Sequence, residues 1–400
     1  MRMAMLGRAL VAQGHSVLWW SSTFSHLGRR LVYSEDRQIE LSPGFVWTGL
    51  YAGAYDNNIS IDRYRHHRRL TRRFRALAVE QSSPDAIVAA FPIPDLALAA
   101  VDYARARSIP CIVDVLDLWP EVFLERVTRP LRGIAKVLLS PWYRTASTAL
   151  QGADCLVGCS QGYLDWALQL ARRTPGALEQ VFYLSCDDDG AICAHTESQR
   201  ILDLRKRLHG KTVFTYVGSF GYAYDLELLC EVAQRCSEST NSSVHFVLAG
   251  GGQRYASICK RAALLSNVTL TGWLTGDETR SLLAMSDVGL IPRCGTRNNL
   301  PNKPFEYMAA GLPILSSLEG EMVRLIREND IGISYESGNL DELYGHVVRL
   351  ADNPAMLSAQ GARSRRLFCD KFRHAVVYGH YARHIVDVVS RKSFEARDRR

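Results

Sequence analysis

The sequence predicts an α/β protein of two doubly wound, Rossmann-like domains in tandem, and three observations carry this. At 400 residues the chain exceeds what one hydrophobic core usually organises. Short β-rich runs alternate with helical patterns through both halves, as in a parallel sheet with crossover helices. The runs are nearly all apolar rather than alternating, as expected of strands covered by helices on both faces.

From the N-terminus, a helical stretch ends at Gly14 as a left-handed cap and passes into "HSVLWWSS" as a strand. In a doubly wound domain such a helix follows a strand at the sheet centre. Here nothing precedes the helix: either the domain is built without that central strand or, the favoured expectation, the true start lies upstream of Met1. "DAIVAAF", "CIVDVLD", "CLVGCS" and "QVFYLS" read as the other strands of the first domain, with "DLALAAVDYARARS" and "QGYLDWALQLARR" as helices between them. Polar Cys186 to Lys211 reads as the interdomain linker, merging into the second domain's first helix. From Val213 come six strand-like runs, "VFTYV", "HFVLAG", "NVTLTG", "VGLIP", "PILSS" and "GISYE", spaced by helical stretches such as "DLELLCEVAQRC" and "DETRSLLAMS". Two helical stretches follow Asp352, and the residues from Lys392 onward are expected to fray. The domain limits read as 1–190, 191–372, and 373–400 for a C-terminal helix and tail.

Composition excludes several classes. Apolar residues make up 47% and charged residues 22%, which fits neither a disordered nor a fibrous chain. The ten Cys show no CxxC and no zinc-type His spacing, so they read as reduced thiols of a cytosolic protein and no metal site is expected. No signal peptide is visible, and the apolar runs fall far short of the ~18 residues of a spanning helix. Net charge is +7. Much of the excess sits in "RYRHHRRLTRRFR", Arg63 to Arg75, with seven Arg, two His and no acid. Such a helix suits an anionic membrane surface or phosphate-bearing acceptors; a solvated helix face is the plain alternative. No nucleic-acid module surrounds the run, so nucleic acid is not an expected partner.

The chemistry concentrates in "LPNKPFEYMAAGLPILSS", Leu300 to Ser317. Pro301 breaks the chain, Asn302 reads as an N-cap, and Pro304 is tolerated in a first helical turn. The helix then runs from Lys303 to Ala310, with Gly311 as its left-handed C-terminal residue. Lys303 and Glu306 share one face of the first turn at the sheet's carboxyl edge, where doubly wound folds bind ligands. Lys303 and the free N–H groups suit phosphate; Glu306 suits paired hydroxyls such as a ribose diol. Ala309, Ala310 and Gly311 would keep the helix close to the sheet. The alternative for the pair is an exposed ion pair.

Two glycine turns point to the same edge: Gly218, Ser219, Phe220, Gly221 after "VFTYV", and Gly250 to Gly252 after "FVLA". Each alone could be an ordinary strand-to-helix turn; three elements converging on one edge favour a nucleotide diphosphate. In the first half, Asp117 ends its strand beside Trp119 and Glu121. A carboxylate next to an aromatic suits sugar binding, so Asp117 is the candidate for orienting or deprotonating an acceptor hydroxyl, with Glu121 in reserve. His26, after the strand "SVLWWSS", is a further candidate on that side. "CDDDG", Asp187 to Asp189, reads as a solvated turn rather than a metal site.

In order and spacing, "YVGSFGYAYDLELL", "FVLAGGGQ", "VTLTGW", "SDVGLIP" and "LPNKPFEYMAAGLPILSS" resemble the donor domain of family-4 nucleotide-sugar glycosyltransferases of the GT-B fold. "SPDAIVAAFPIP", "CIVDVLDLWPE" and "ADCLVGCSQGYLDWAL" resemble their acceptor domain. The likeness is greatest to bacterial O-antigen, capsule and exopolysaccharide enzymes with a "DLWPE" motif. The resemblance implies a cleft between two Rossmann-like domains and sugar transfer from a nucleoside diphosphate with retention. The acceptor it implies is a polyprenyl-diphosphate-linked or other saccharide at the cytoplasmic face of the plasma membrane.

By the same resemblance Lys303 neutralises the diphosphate, Glu306 holds the ribose, and Gly218 to Gly221 cradle phosphate. Gly250, Gly252 and Trp273 flank the base, Pro301 and Asn302 line the donor site, and neither metal nor cofactor is needed. There are two departures. The family's second Glu is replaced by Asn298, and the turn after "VFTYV" has no Arg or Lys, both read as traits of the subfamily. The competing readings are a nucleotide-sugar 2-epimerase and a non-catalytic or truncated relic.

Overall fold

The computed structural model describes residues 2–26, 28–56, 60–124, 127–186, 198–239, 243–295 and 300–398. The chain forms two compact units, Met1–Tyr183 with Val377–Arg400, and Leu184–Val376. The expected linker residues 187–197, including Asp187 to Asp189, lie outside the described residues, as does Asn298.

The first unit runs α1 (Arg2–Ala12), β1 (Val17–Ser22), β2 (Phe24–Ser25), β3 (Arg30–Leu31), β4 (Arg37–Ser42), β5 (Phe45–Leu50) and α2 (Ile61–Ala78). It continues through β6 (Ile87–Phe91), α3 (Pro94–Ala106), β7 (Cys111–Val115), α4 (Glu121–Leu124), α5 (Arg132–Leu138), α6 (Ser140–Gly152), β8 (Cys155–Gly158), α7 (Gln161–Ala171) and β9 (Gln180–Val181). β6-β7-β8-β9 form a parallel sheet, as the pattern anticipates. The rest of the unit differs from the simple doubly wound expectation. β1 belongs to a separate sheet of order β1-β5-β4, in which β5 is parallel to β1 and antiparallel to β4. β4, "RQIELS", is a largely exposed edge strand, so it offers no apolar run for sequence reading to find. Among the described residues no strand pairs the outer edges of β1 and β6. Both are less buried than central β7.

The two faces of β7 show how the sheet is covered. Cys111, Val113 and Val115 pack with residues of α3, α6 and α7. Ile112 packs instead with Leu6 of α1 and with Val377, Tyr378 and Tyr381 of the C-terminal helix. Asp114 faces this second side and is fully buried. Arg2 meets it through Nε at 2.8 Å and Nη2 at 3.2 Å, and donates from Nη1 to the Tyr183 carbonyl at 3.0 Å.

The second unit comprises α8 (Gln199–Leu208), β10 (Thr212–Ser219), α9 (Leu226–Glu238), β11 (Val244–Gly251), α10 (Tyr255–Ala262), β12 (Val268–Gly272), α11 (Gly276–Leu283) and β13 (Val288–Ile291). It goes on with α12 (Lys303–Ala309), β14 (Ile314–Ser316), α13 (Glu321–Asn329), β15 (Gly332–Ser334), α14 (Leu340–Ala351) and α15 (Pro354–Leu367). A π-helical turn, Phe368–Phe372, leads to α16 (His374–Asp398). All six strands expected from the apolar runs are present in one parallel sheet of order β12-β11-β10-β13-β14-β15. The chain builds outward from β10 and then returns to β13 at β10's other edge. The strand order thus reverses between β10 and β13, which makes their carboxyl ends the place for a ligand. α16 carries through the expected frayed tail to Asp398. Among the described residues no helix is long and apolar enough to cross a membrane.

Candidate functional site

α12 forms at the β10/β13 switch point, and its ends differ in how well the sequence foretells them. At the C-terminus the expectation holds. Gly311 adopts φ +71, its N–H donates to the Met308 carbonyl at 3.0 Å, and Leu312 N–H donates to Tyr307 at 2.9 Å, a Schellman closure. At the N-terminus it does not. Asn302 is helical, at φ −65 and ψ −29, and makes no side-chain cap; its carbonyl instead accepts from the N–H groups of Phe305 and Glu306. What seats the helix on the sheet is Tyr307 rather than the small residues. Its hydroxyl accepts from Val217 N–H and donates to the Leu290 carbonyl, both at 3.1 Å, joining β10 to β13. Its ring occupies the space over Gly289, where a Cβ would lie 2.4 Å away. Gly311 makes its close approach to α15: a Cβ on Gly361 would lie 2.4 Å from the Gly311 carbonyl oxygen.

This seating carries Lys303 to the end of β10. Its Nζ lies 4.2 Å from the centre of the Tyr224 ring and 5.0 Å from that of Tyr216. A Cβ on Gly218 would stand 2.4 Å from that nitrogen. Lys303 forms no ion pair with a described residue, Glu306 included, so the exposed-pair alternative does not hold. Burial raises the Glu306 carboxyl above its ordinary value, and Lys303 pulls it partly back. The two therefore sense each other's charge while both remain available to a ligand.

Sequence reading missed a second cation here. Arg293, just beyond β13, is 8% exposed and lies 5.4 Å from the same Tyr224 ring. Its Nε is buried with no hydrogen-bond partner, and it has no ion pair among the described residues. Its backbone is fixed, the carbonyl accepting from Ser317 and Ser337 hydroxyls at 2.9 and 2.8 Å. A buried guanidinium without a carboxylate is costly, so this position suits an anion. The only sequence signal was one Arg at the end of an apolar strand.

The glycine turns divide by role. Gly250 (φ +137) and Gly252 (φ +145) let the β11 turn pack on the β10 turn. A Cβ on Gly250 would lie 1.8 Å from the Gly218 carbonyl oxygen, and one on Gly252 would lie 3.1 Å from the Phe220 backbone. Phe220 N–H donates to the Gly251 carbonyl at 2.8 Å. The Phe220 side chain is fully buried beside Tyr216 and Tyr255, so only its backbone is on offer. Ser219 is exposed, and its carbonyl accepts from the Tyr216 hydroxyl at 2.7 Å. Gly221 and Pro301 are half-buried at this edge. Trp273 is 65% exposed with its indole nitrogen over Gly251, the position of a free aromatic plate.

In the first unit, Asp117 accepts from Leu118 N–H at 2.9 Å and from Trp119 Nε1 at 3.2 Å. Trp119 departs from the expectation of a sugar-facing aromatic. It is 7% exposed, packed among His67, Phe123 and Trp142, with the Arg63 guanidinium 4.5 Å from its ring. Glu121 accepts a short hydrogen bond from the Tyr143 hydroxyl, so it is already committed. His26 Nδ1 and the Tyr55 hydroxyl are 2.9 Å apart, and burial with Arg63 lowers the imidazole's pKa.

The basic run is only partly a surface. On α2, Arg63 turns inward and His66 and His67 are buried, the latter's pKa pushed down to about 3 by burial and Arg63. Arg65, Arg73 and Arg75 pair with Asp62, Asp36 and Asp102. Arg68, Arg69 and Arg72 are exposed without ion pairs among the described residues. No group of three His, Cys, Asp or Glu poised for a metal occurs among the described residues.

Comparison with known proteins matches residues 211–353 to the family described as Glycosyl transferases group 1. A 2-deoxystreptamine glucosyltransferase of Streptomyces kanamyceticus is 26% identical over 212 residues, 49% of this chain and 52% of that protein. O-antigen chain mannosyltransferase C of Escherichia coli is 26% identical over 238 residues, 56% of this chain and 58% of that one. The chain thus spans about half the length of the curated relatives it matches. Sucrose-phosphate synthase from Thermosynechococcus elongatus has the same fold, with a TM-score of 0.73 at 16% identity over 99% of this chain and 93% of that one. So does HepE of Anabaena in complex with UDP, with a TM-score of 0.62 at 13% identity over 80% and 82%. Residues 211–353 are therefore a glycosyltransferase domain of group 1, in a chain with the GT-B fold of Rossmann-like units.

Proposed function

We propose that this chain is a retaining glycosyltransferase. It moves a sugar from a nucleoside diphosphate to a saccharide acceptor, of polyprenyl-diphosphate-linked type, in the synthesis of cell-surface polysaccharide. The observation that carries the reading is the Lys303 ammonium, lodged against Gly218 between the carboxyl ends of β10 and β13 with no carboxylate partner among the described residues. A diphosphate placed there completes the charge, and the UDP complex of the Anabaena neighbour supports a nucleotide donor.

In this reading Lys303, with Arg293, stabilises the negative charge that builds on the diphosphate as the glycosidic C–O bond breaks, so that no metal is required. Glu306 accepts hydrogen bonds from the ribose hydroxyls, and Trp273 covers the base. Asp117, held by hydrogen bonds from Leu118 N–H and Trp119 Nε1, orients the acceptor hydroxyl by accepting its hydrogen bond. The exposed arginines of α2 would hold the protein at the cytoplasmic face of an anionic membrane. UDP or GDP should raise the melting temperature of the full chain, and Lys303→Ala should remove the rise. Absence of stabilisation by every nucleoside diphosphate would overturn the reading, and turnover of nucleotide sugar without any acceptor would replace it with epimerisation.

A further inference from the structure

The first unit carries an apolar face that no described residue covers. α5 buries none of its residues. Leu131 just before it is 54% exposed, and Ile134, Val137 and Leu138 on it are 62%, 72% and 76% exposed. At 100° per residue these four side chains share an arc of about 120°. Arg132 and Lys136, both exposed, share a second arc. A helix with one apolar and one basic face and nothing packed on the former is costly in water.

The surroundings say what covers it. Val127 to Thr148 contains Arg129, Arg132, Lys136 and Arg144 and no acidic residue. The helix leads directly into α6, whose Trp142 stacks on Tyr64 of α2 with ring centres 5.5 Å apart. Arg68, one of the unpaired arginines, lies over that same Tyr64 ring at 5.8 Å. Through α6 and these two stacked rings, α5 is tied to the arginine-bearing helix α2. A protein partner would have to match a flat greasy arc and an extended cationic field together. An anionic bilayer offers both at once, acyl chains for the apolar arc and headgroups for the cations.

We propose that α5 is the element that enters the bilayer, burying Leu131, Ile134, Val137 and Leu138 below the headgroups, while Arg132 and Lys136 and the α2 arginines hold the anionic lipid. At seven residues α5 lies in the interface and does not span it. The inference rests on the membrane part of the proposed function and not on its catalytic part.

The test uses the full chain and sedimentation with phosphatidylcholine vesicles, with and without phosphatidylglycerol. The protein should partition onto the anionic vesicles, and Ile134→Ser/Val137→Ser/Leu138→Ser should lower that partition by about tenfold or more. The triple variant should keep the UDP- or GDP-induced rise in melting temperature of its parent, which shows that it is folded and keeps the donor site out of the result. If the triple variant binds vesicles as its parent does, α5 does not insert, although surface attachment through α2 stands. If the parent binds neither vesicle, both the insertion and the membrane reading fall. If the parent is a dimer that the triple variant dissolves, with no vesicle binding by either, a second copy of the chain covers the face and the proposal is wrong.

Discussion

The Lys303 ammonium occupies the space in which a side chain at position 218 would begin, 2.4 Å from where a Cβ on Gly218 would stand. Gly218 is therefore held to glycine by the lysine that crosses it as well as by its φ of +142. Gly218→Ala should displace Lys303 and cost about 1–3 kcal/mol of stability through backbone strain. Urea unfolding reads the stability loss, and thermal shift with UDP or GDP should show a response reduced towards that of Lys303→Ala.

Gly250→Ala should be more severe in its effect on folding. The added Cβ would lie 1.8 Å from a backbone oxygen, that of Gly218, which cannot swing aside as a lysine terminus can. A loss of roughly 4 kcal/mol or more places it among the exceptional substitutions. Gly221→Ala, whose nearest neighbour would be the Ser219 hydroxyl at 4.0 Å, should change urea unfolding little and is the control.

Glu306→Gln should separate stability from ligand binding. Burial raises the folded carboxyl above its ordinary value of 4.5. An acid shifted this way favours folding fully only below its unfolded pKa, and the benefit is lost as pH rises through the folded value. At pH 7 the half-buried carboxylate is thus a burden that Gln removes. The variant should melt at the same or a higher temperature than its parent at pH 7, with the gap closing as pH falls towards 4.5. Nucleoside diphosphate binding should nevertheless weaken by about tenfold or more, the loss of a charge-assisted hydrogen bond.

Arg293→Met should give a related signature for the second cation. Removing a buried guanidinium that has no carboxylate partner among the described residues leaves stability unchanged or improved. Affinity for UDP or GDP should fall by about tenfold while affinity for the bare nucleoside stays the same, as isothermal titration with both ligands would reveal. Equal losses for nucleotide and nucleoside would remove Arg293 from the phosphate site.

In the first unit, Arg2→Met strands the fully buried Asp114 carboxylate and should cost about 3–5 kcal/mol. Arg2→Met/Asp114→Leu should recover most of that loss in denaturant unfolding, because both charges then leave together. A double variant no more stable than the single would mean that packing around Tyr381, rather than charge, is what Arg2 supplies.

How much of this was legible beforehand depended on what local chemistry could encode. The six strands of the second unit could be read because each is a fully apolar run between turn residues, and a buried parallel strand needs no partner's sequence to be recognised. The C-terminus of α12 could be read because Gly311 and Pro313 act through their own backbones. β4 could not, because an exposed polar edge strand is defined by its neighbour β5 and not by its own residues. Asn302 misled for a related reason: cap propensity belongs to the residue, but cap geometry is set by how the chain arrives.

The sequence by itself therefore determined the α/β alternation, the helix starting at Lys303, and the residue types suited to phosphate and ribose at one sheet edge. Only the tertiary structure decided which of them meet. It put β10 beside β13, which brings Gly218, Tyr224, Arg293 and Lys303 together. It turned Trp119 inward while leaving Trp273 exposed, and it left α5 bare. The reason is that strand order and side-chain burial are properties of long-range contacts, and residues as far apart in the chain as Gly218 and Lys303 carry no local signal of their meeting.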